Sequence, residues 1–385
     1  MDITEIRLKN IKDILSVLRF SEGHTKKEIA SLTNLSFATV SNMCNELKEK
    51  NVLSEEKLDT INVGRTPNRI CFLYQRFCTL CINLQMETQM EFAILNFRNE
   101  ILFRHCYDIA HLDYPKKVID YAKSIYDQML AFPWTKNCQF VGVGIAVSGC
   151  FHARSGRILN SAVPMYENAP LLALAQEAFS LPCYIENEAN LCALSMSKQG
   201  NEDGNLVYLH LFQGLGLGVL SNGKLLRGEH GFGAEISHIP LGDSAQICPS
   251  CGEKGCIESA LSIHSFLQDF LTPPPDASLL ERWEAYMVAL RQTPELFSEC
   301  INKKGDLLGI LISILINLFD PSVLYIGGAA AQLQDLLEPR IFTQIQNRCR
   351  WTLEENFALI WDKNSATTLL NGINQKVYEQ WMPFD

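Results

Sequence analysis

The sequence predicts an α/β protein in two parts: a small helical head closed by a β-hairpin, and a larger body built on central sheets. Three observations carry this. Residues 5–51 show helical apolar spacing, interrupted by two capping signals. Two β-prone runs then flank Gly64-Arg65-Thr66-Pro67. From about residue 74, strand-like and helix-like segments alternate along the rest of the chain.

In the head, Ile6, Ile11, Ile14, Leu15 and Leu18 fall near one face of a helix over residues 5–20. Ser21-Glu22-Gly23-His24 breaks it. Thr25 then reads as an N-cap, with Glu28 three residues on to complete a capping box, and opens a short helix over KKEIASLT. Asn34-Leu35-Ser36 is a tight turn. Its Ser36 caps the helix FATVSNMCNELKEKN, with Val40, Met43, Cys44 and Leu47 inward. Two short helices across such a turn form a helix-turn-helix, whose second helix enters a DNA major groove with its first turn toward the bases. Ser36, Phe37, Ala38, Thr39, Ser41 and Asn42 occupy that turn, and Lys48 and Lys50 lie further along, where phosphates are the expected targets. The hairpin is then a wing, with Arg65 at its tip and Arg69 nearby, placed for a minor groove or phosphates. The competing account of residues 1–73 is a protein-interaction domain with a solvated charged face. The order of helices, turn, helix and Arg-tipped hairpin favours a winged helix-turn-helix that binds DNA.

In the body, TLCINLQM and EFAILNF are apolar β-like runs, and the chain reverses at Arg98-Asn99-Glu100 before ILFRHCYDI. YPKKVIDYAKSIYDQML has helical spacing, FVGVGIAVSG is a buried-type strand, and LLALAQEAFS is a helix. CYIENEANLCALSMSK runs from strand into helix, and NLVYLHLFQGLGLGVL begins a second set of strands. Residues 303–319, KKGDLLGILISILINLF, form a long apolar helix, read as core in preference to a dimer face.

Bulk composition bounds the function class. Apolar residues make up 47% and charged residues 20%, as in a globular protein. No run is long and apolar enough to span a bilayer, and MDITEIRLKN lacks the apolar core of a signal peptide, so a cytoplasmic protein with no membrane partner is expected. Fourteen cysteines scattered over such a chain are expected as reduced thiols or metal ligands, with Cys71, Cys78, Cys81 and Cys192 acting as small buried hydrophobes. Net charge is −10, yet residues 1–72 carry 11 Lys and Arg against 10 Asp and Glu. The acidity therefore lies in the body, and the near-neutral head is compatible with a local basic DNA surface.

The segments QGLGLGVLSNGKLLRGEHGFGAEISH, CPSCGEKGCIE and IENEANLCAL, with GRTP after the helix-turn-helix, resemble the ROK family of repressors and sugar kinases over nearly the whole chain. The resemblance implies two actin/hexokinase-like lobes with a sugar cleft between them. It places a winged helix-turn-helix at 1–73 and the ROK domain at 74–385. The first lobe would span about 74–187 plus the C-terminal end, and the second about 188–355. Repressor members, xylose repressors among them, carry a DNA-binding head as this chain does, and the kinases lack it.

His238, Cys248, Cys251 and Cys256 form an H-x9-C-x2-C-x4-C set that suits a closed structural zinc site, with a loop of free cysteines as the alternative. The family usually has one residue between its first two cysteines, where this chain has two. The resemblance further implies that Asn187, Glu188, Glu235, His238 and Glu258 bond a sugar's hydroxyls, with Gly149 and Asn160 at weaker cleft positions. The alternative for these polar residues is surface positions and caps. Kinases of the family have Asp at Glu188, as general base. They also have Asp-x-Gly-x-Thr where Ile82-Asn83-Leu84-Gln85-Met86 stands here, so a Mg²⁺-organising carboxylate and a phosphate-admitting glycine are replaced by Asn83 and Gln85. Gly214-Leu215-Gly216-Leu217-Gly218 and Ile326-Gly327-Gly328 match nucleotide-side loops but equally fit tight structural turns. The expectation is a repressor, not an enzyme, that answers to a sugar, contains structural zinc, binds palindromic operator DNA as a homodimer or larger homo-oligomer, and does not transfer phosphate. The alternative is an ATP-dependent sugar kinase with a regulatory DNA-binding head.

Overall fold

A computed structural model describes residues 3–57, 68–152, 154–197, 204–243, 245–248, 250–268, 277–354 and 357–383. The head comprises α1 (Ile3–Arg19), α2 (Lys26–Thr33), α3 (Phe37–Glu49) and the antiparallel strands β1 (Leu53–Lys57) and β2 (Asn68–Phe72). Thr25 caps α2 with Glu28 completing the box, and Ser36 caps α3 by accepting from the Thr39 N–H. Between them Asn34 takes a left-handed conformation at φ 54°, which a short polar side chain tolerates and which turns α3 away from α2. Ile11, Ile14, Leu15, Leu18, Ile29, Val40, Cys44 and Leu47 are buried together. Ile6 is not: it is 45% exposed, because the first turns of α1 run past the core that begins at Ile11. Met43 and Cys71 are half-buried where full burial was expected. The hairpin tip, with Arg65, lies outside the described residues.

The body opens with β3 (Phe77–Asn83), β4 (Gln89–Asn96), β5 (Ile101–Asp108), α4 (Pro115–Met129) and β6 (Gln139–Val147). A small ribbon, β7 (Cys150–His152) with β8 (Arg157–Leu159), precedes α5 (Leu171–Ala178), β9 (Cys183–Asn187) and α6 (Glu188–Ser197). The first sheet has the order β5-β4-β3-β6-β9, with β3, β6 and β9 parallel. The second half contains β10 (Leu206–Leu211), β11 (Leu215–Ser221), β12 (Lys224–Leu225), α7 (Ile257–Leu261), α8 (Ile263–Leu267), α9 (Leu279–Gln292), α10 (Pro294–Phe319), β13 (Val323–Gly328), α11 (Gln334–Glu354), β14 (Ala358–Trp361) and α12 (Ser365–Gln380). Its sheet has the order β12-β11-β10-β13-β14. The edge strand β14 comes from a segment expected to have already returned to the first lobe.

Two helices lie between the sheets. Residues of α6 and α12 share one core with Cys81 and Ala146 of the first sheet and Leu206 and Tyr208 of the second. Gly372 makes this possible, since a Cβ there would stand 2.0 Å from the Leu191 carbonyl oxygen of α6. On the far side of the second sheet, α10 buries Leu308, Leu311, Ile312, Leu315 and Ile316, as its apolar spacing predicts, and leaves Leu296 and Leu318 exposed. The head is joined to the body by packing. Phe72 of β2, Phe77, Phe97 and Trp381 form one aromatic cluster. The buried Arg19 donates to the Phe97 carbonyl and to Gln375 on α12, and its guanidinium lies 4.0 Å from the centre of the Tyr378 ring.

Candidate ligand cleft and metal centre

Glu188 is the first residue of α6, where β9 ends. Its carboxyl is 7% exposed, and its Oε2 has no hydrogen-bond partner. Burial pushes it up to about 8, opposed by its own backbone N–H and assisted by the charge of Glu235. At neutral pH it is therefore mostly a carboxylic acid, able to donate a hydrogen bond and poorly suited to accept a proton. Partial burial shifts Glu235 in the same direction.

The other expected cleft residues converge on this group. Gly149, Asn160, Asn187, Glu188, Glu235, His238 and Glu258 line a single pocket between the lobes. Asn187 Nδ2 donates to the Gly149 carbonyl at 3.1 Å while its Oδ1 accepts the Ala189 N–H at 2.8 Å. That pairing fixes the start of α6. Glu258 accepts from Ser250 Oγ at 2.9 Å and from the Leu215 N–H at 3.4 Å. Ser148, Ser161, Ser237 and Ser250 also line the pocket. Sequence reasoning missed them, because isolated serines carry no spacing signal.

His238 faces two ways. Its Nε2 lies 3.3 Å from Asn160 Nδ2 on the cleft side, and its Nδ1 lies 3.8 Å from Cys248 Sγ. The ligand atoms of His238, Cys248, Cys251 and Cys256 all lie within 4.8 Å of one another, and the Sγ atoms of Cys251 and Cys256 are 3.5 Å apart. Thiolates at the corners of a zinc tetrahedron with bonds of about 2.3 Å stand roughly 3.7 Å apart, so this donor set fits a four-coordinate ion. Two residues between the first two cysteines do not prevent that convergence.

The segments matched to the family's nucleotide-side loops are bonded differently. Asn83 Nδ2 donates to Glu91 Oε2 at 3.2 Å, and its Oδ1 accepts the Gln85 N–H at 3.1 Å, so both ends of the amide are committed. Arg104 Nε donates to the other Glu91 oxygen at 2.7 Å. Gly218 permits close packing on α6, since a Cβ there would lie 2.2 Å from the Ala189 carbonyl oxygen. That favours the structural reading of the glycine run. Neither Glu91 nor Arg104 was singled out from sequence. They meet Asn83 only because β4 and β5 pair beside β3.

On the head, Phe37 is 57% exposed at the start of α3, and Ala38 and Asn42 are also exposed. Ser36 and Thr39 bond each other at 2.8 Å, and Ser41 accepts from Lys26 at 3.2 Å, so these hydroxyls are committed to holding the turn. Arg69 pairs with Glu56 at 3.0 Å across the hairpin, and Lys48 pairs with Glu55. Among the described residues, no helix is long and apolar enough to cross a membrane.

Comparison with known proteins agrees with this architecture. The xylose repressor of Caldicellulosiruptor bescii is 26% identical over 355 residues, covering 89% of this chain and 88% of that protein. A crystal structure of a ROK family transcriptional regulator, a homologue of the E. coli MLC protein, superposes with a TM-score of 0.78 over 97% of both chains at 21% identity. A ROK family glucokinase from Streptomyces griseus, solved with glucose and AMPPNP, gives 0.61 over 77% of this chain and 97% of its own, at 20% identity. These two likenesses show the two-lobed fold. The sequence pattern of the ROK family matches residues 81–368, which span both sheets, the cleft and the cysteine cluster; the chain belongs to the ROK family.

Proposed function

We propose that the chain is a sugar-responsive transcriptional repressor that binds operator DNA through residues 1–73 and takes an uncharged sugar or sugar derivative in the cleft around Glu188 without phosphorylating it. One observation supports this reading: the residues matched to the sugar side converge on one pocket, while the side chains on the phosphate side are bonded to one another. Seven polar or glycine positions converge on the sugar side. On the other side Asn83 is tied to Glu91, and Glu91 to Arg104, where a kinase needs free ligands for Mg²⁺. Glu188, protonated at neutral pH, donates to a sugar oxygen in place of acting as base. The names of the repressor relatives support the same assignment, and the glucokinase relative supplies the alternative.

His238, Cys248, Cys251 and Cys256 hold a structural zinc ion in this proposal. It fixes the loop so that His238 Nε2 faces the sugar. Phe37, Ala38 and Asn42 meet base edges, Ser36, Thr39 and Ser41 set the geometry of the turn, and Arg65 with Arg69 reaches the flanking groove or phosphates. Two copies present two recognition helices to a palindromic site. Selection of bound duplexes from a random library tests the DNA assignment. Enrichment of an inverted repeat by the full chain is expected, with Asn42→Ala relaxing sequence preference by about 1–3 kcal/mol at one base position. Retention of that duplex by a chain lacking residues 1–73 would refute it.

A further inference from the structure

The turn between the first two cysteines brings a hydroxyl to the ligand cleft. Pro249 and Ser250 separate Cys248 from Cys251. The Gly252 N–H donates to the Cys248 carbonyl at 2.9 Å, and the Cys248 N–H to the Glu253 carbonyl at 2.8 Å. The Cys248 sulfur accepts from the N–H groups of Cys251 and Ser250. These bonds fix the backbone of Ser250, which belongs to no helix or strand. The residue is exposed, yet it lines the same pocket as Glu188, Glu235 and His238.

In that pocket Ser250 Oγ donates to Glu258 Oε1 at 2.9 Å. The other oxygen of the same carboxylate accepts the Leu215 N–H at 3.4 Å, and a Cβ at Gly214 would stand 2.9 Å from it. Glu258 is thus seated between a backbone and a hydroxyl. Ser161 and Ser237 differ, because their protons go to the backbone carbonyls of Ser148 and Leu215. The one proton of Ser250 is spent on Glu258, while its oxygen keeps lone-pair capacity. Toward a ligand, therefore, Ser250 is an acceptor. A ligand hydroxyl that donates to it extends a chain in which each bond polarises the next. An ether oxygen in that place brings no proton and meets two acceptors.

We propose that Ser250 is a specificity-determining residue of the cleft: its oxygen accepts from one hydroxyl of the bound sugar while its proton holds Glu258, so the ligand must present a donor there. The inference rests on the reading that this cleft takes a sugar. Calorimetric titration of the full chain uses xylose, glucose and N-acetylglucosamine as separate probes, then the monodeoxy forms of whichever binds most tightly. Ser250→Ala should weaken that sugar about tenfold, and Ser250→Thr, which keeps the hydroxyl, should stay within about threefold. One deoxy form should bind the unsubstituted chain about tenfold more weakly and lose nothing further in Ser250→Ala, because the two changes remove the same bond. Metal content and melting temperature should be equal in the three chains, since the side chain is exposed. Equal sugar affinity in all three chains would overturn the proposal. So would a Ser250→Ala penalty that persists with every deoxy form, which would leave Ser250 as a support for Glu258 alone. A loss of affinity accompanied by loss of metal or thermal stability would assign Ser250 to the cysteine loop and overturn it too. If the unsubstituted chain binds none of the sugars, the sugar-binding reading itself falls, and this inference with it.

Discussion

Glu188 concentrates the energetic consequences of the cleft in one side chain. Its carboxyl is raised to about 8 in the folded protein, by burial first, against about 4.5 in the unfolded chain. The folded state therefore holds a proton that the unfolded state has lost, and stability falls as pH rises through that window. His210, lowered to about 4, acts oppositely between about 4 and 6.5, where the unfolded chain takes up a proton and stability falls as pH drops. Between pH 6.5 and 8 Glu188 stands clear of His210. Across that interval the unsubstituted chain should lose about 1.5 kcal/mol more stability than Glu188→Gln, the slope falling from roughly 1.4 kcal/mol per pH unit to half that as pH 8 is reached. Urea denaturation at the two pH values measures it, and parallel losses would mean that Glu188 ionises normally. The identity of this carboxylate was legible from the family motif around Asn187. Its protonation state was not, because that depends on burial by β11 and on Glu235, which lies 47 positions away in the chain. His210 was silent for the same reason: it sits in an apolar run that reads as core.

At the scale of elements, the cysteine loop and the head illustrate how much local pattern conveys. The capping box at Thr25, the turn at Asn34 and the cap at Ser36 each appear where short-range chemistry puts them. The hydroxyls of the α3 turn looked free to read bases, yet they bond their neighbours, a tertiary detail that spacing does not encode. The four-residue cluster was legible because its ligand types and spacing alone suit a tetrahedral site. The chain should contain about one zinc per molecule after purification without added metal, by elemental analysis. Cys251→Ser should lower that content severalfold and weaken sugar binding by about tenfold, through loss of orientation at His238, as outer-sphere changes commonly do. Full sugar affinity in a metal-free variant would separate the loop from the cleft.

For the whole molecule, the question is how an occupied cleft is felt at α3. Glu186, one residue before Asn187, is 3% exposed and gathers four partners: Arg227, Lys376 at 3.2 Å, Asn190 at 3.1 Å and the Asn187 N–H at 3.2 Å. Burial pushes its carboxyl up, but Lys376 and Arg227 outweigh that and hold it below its ordinary value. Each partner leads elsewhere. The Arg227 carbonyl accepts the Gly233 N–H at 2.8 Å and so anchors the segment carrying Glu235 and His238. Lys376 belongs to α12, whose neighbouring Gln375 accepts from Arg19 of α1. Cleft loop and interlobe helix thus meet at one carboxylate, and the helix continues to the head through Gln375 and Arg19. Glu186→Gln should leave sugar affinity within about threefold yet reduce the effect of sugar on DNA affinity, a coupling typically worth about 1–3 kcal/mol. Fluorescence anisotropy of labelled operator with and without sugar measures this, and an undiminished sugar effect would exclude the path through α12. Composition could not have revealed this node, since Lys376 and Glu186 are 190 positions apart.

In the proposed function, one cleft binds sugar and no longer transfers phosphate. Sugar-dependent ADP release by the full chain, with saturating Mg-ATP and each sugar that stabilises the protein against heat, tests it most directly. The account predicts stabilisation of about 2.7 kcal/mol at a hundredfold excess of sugar over Kd, with no ADP release above background. Turnover near 1 s⁻¹ or faster, within the ordinary enzyme range, would contradict it.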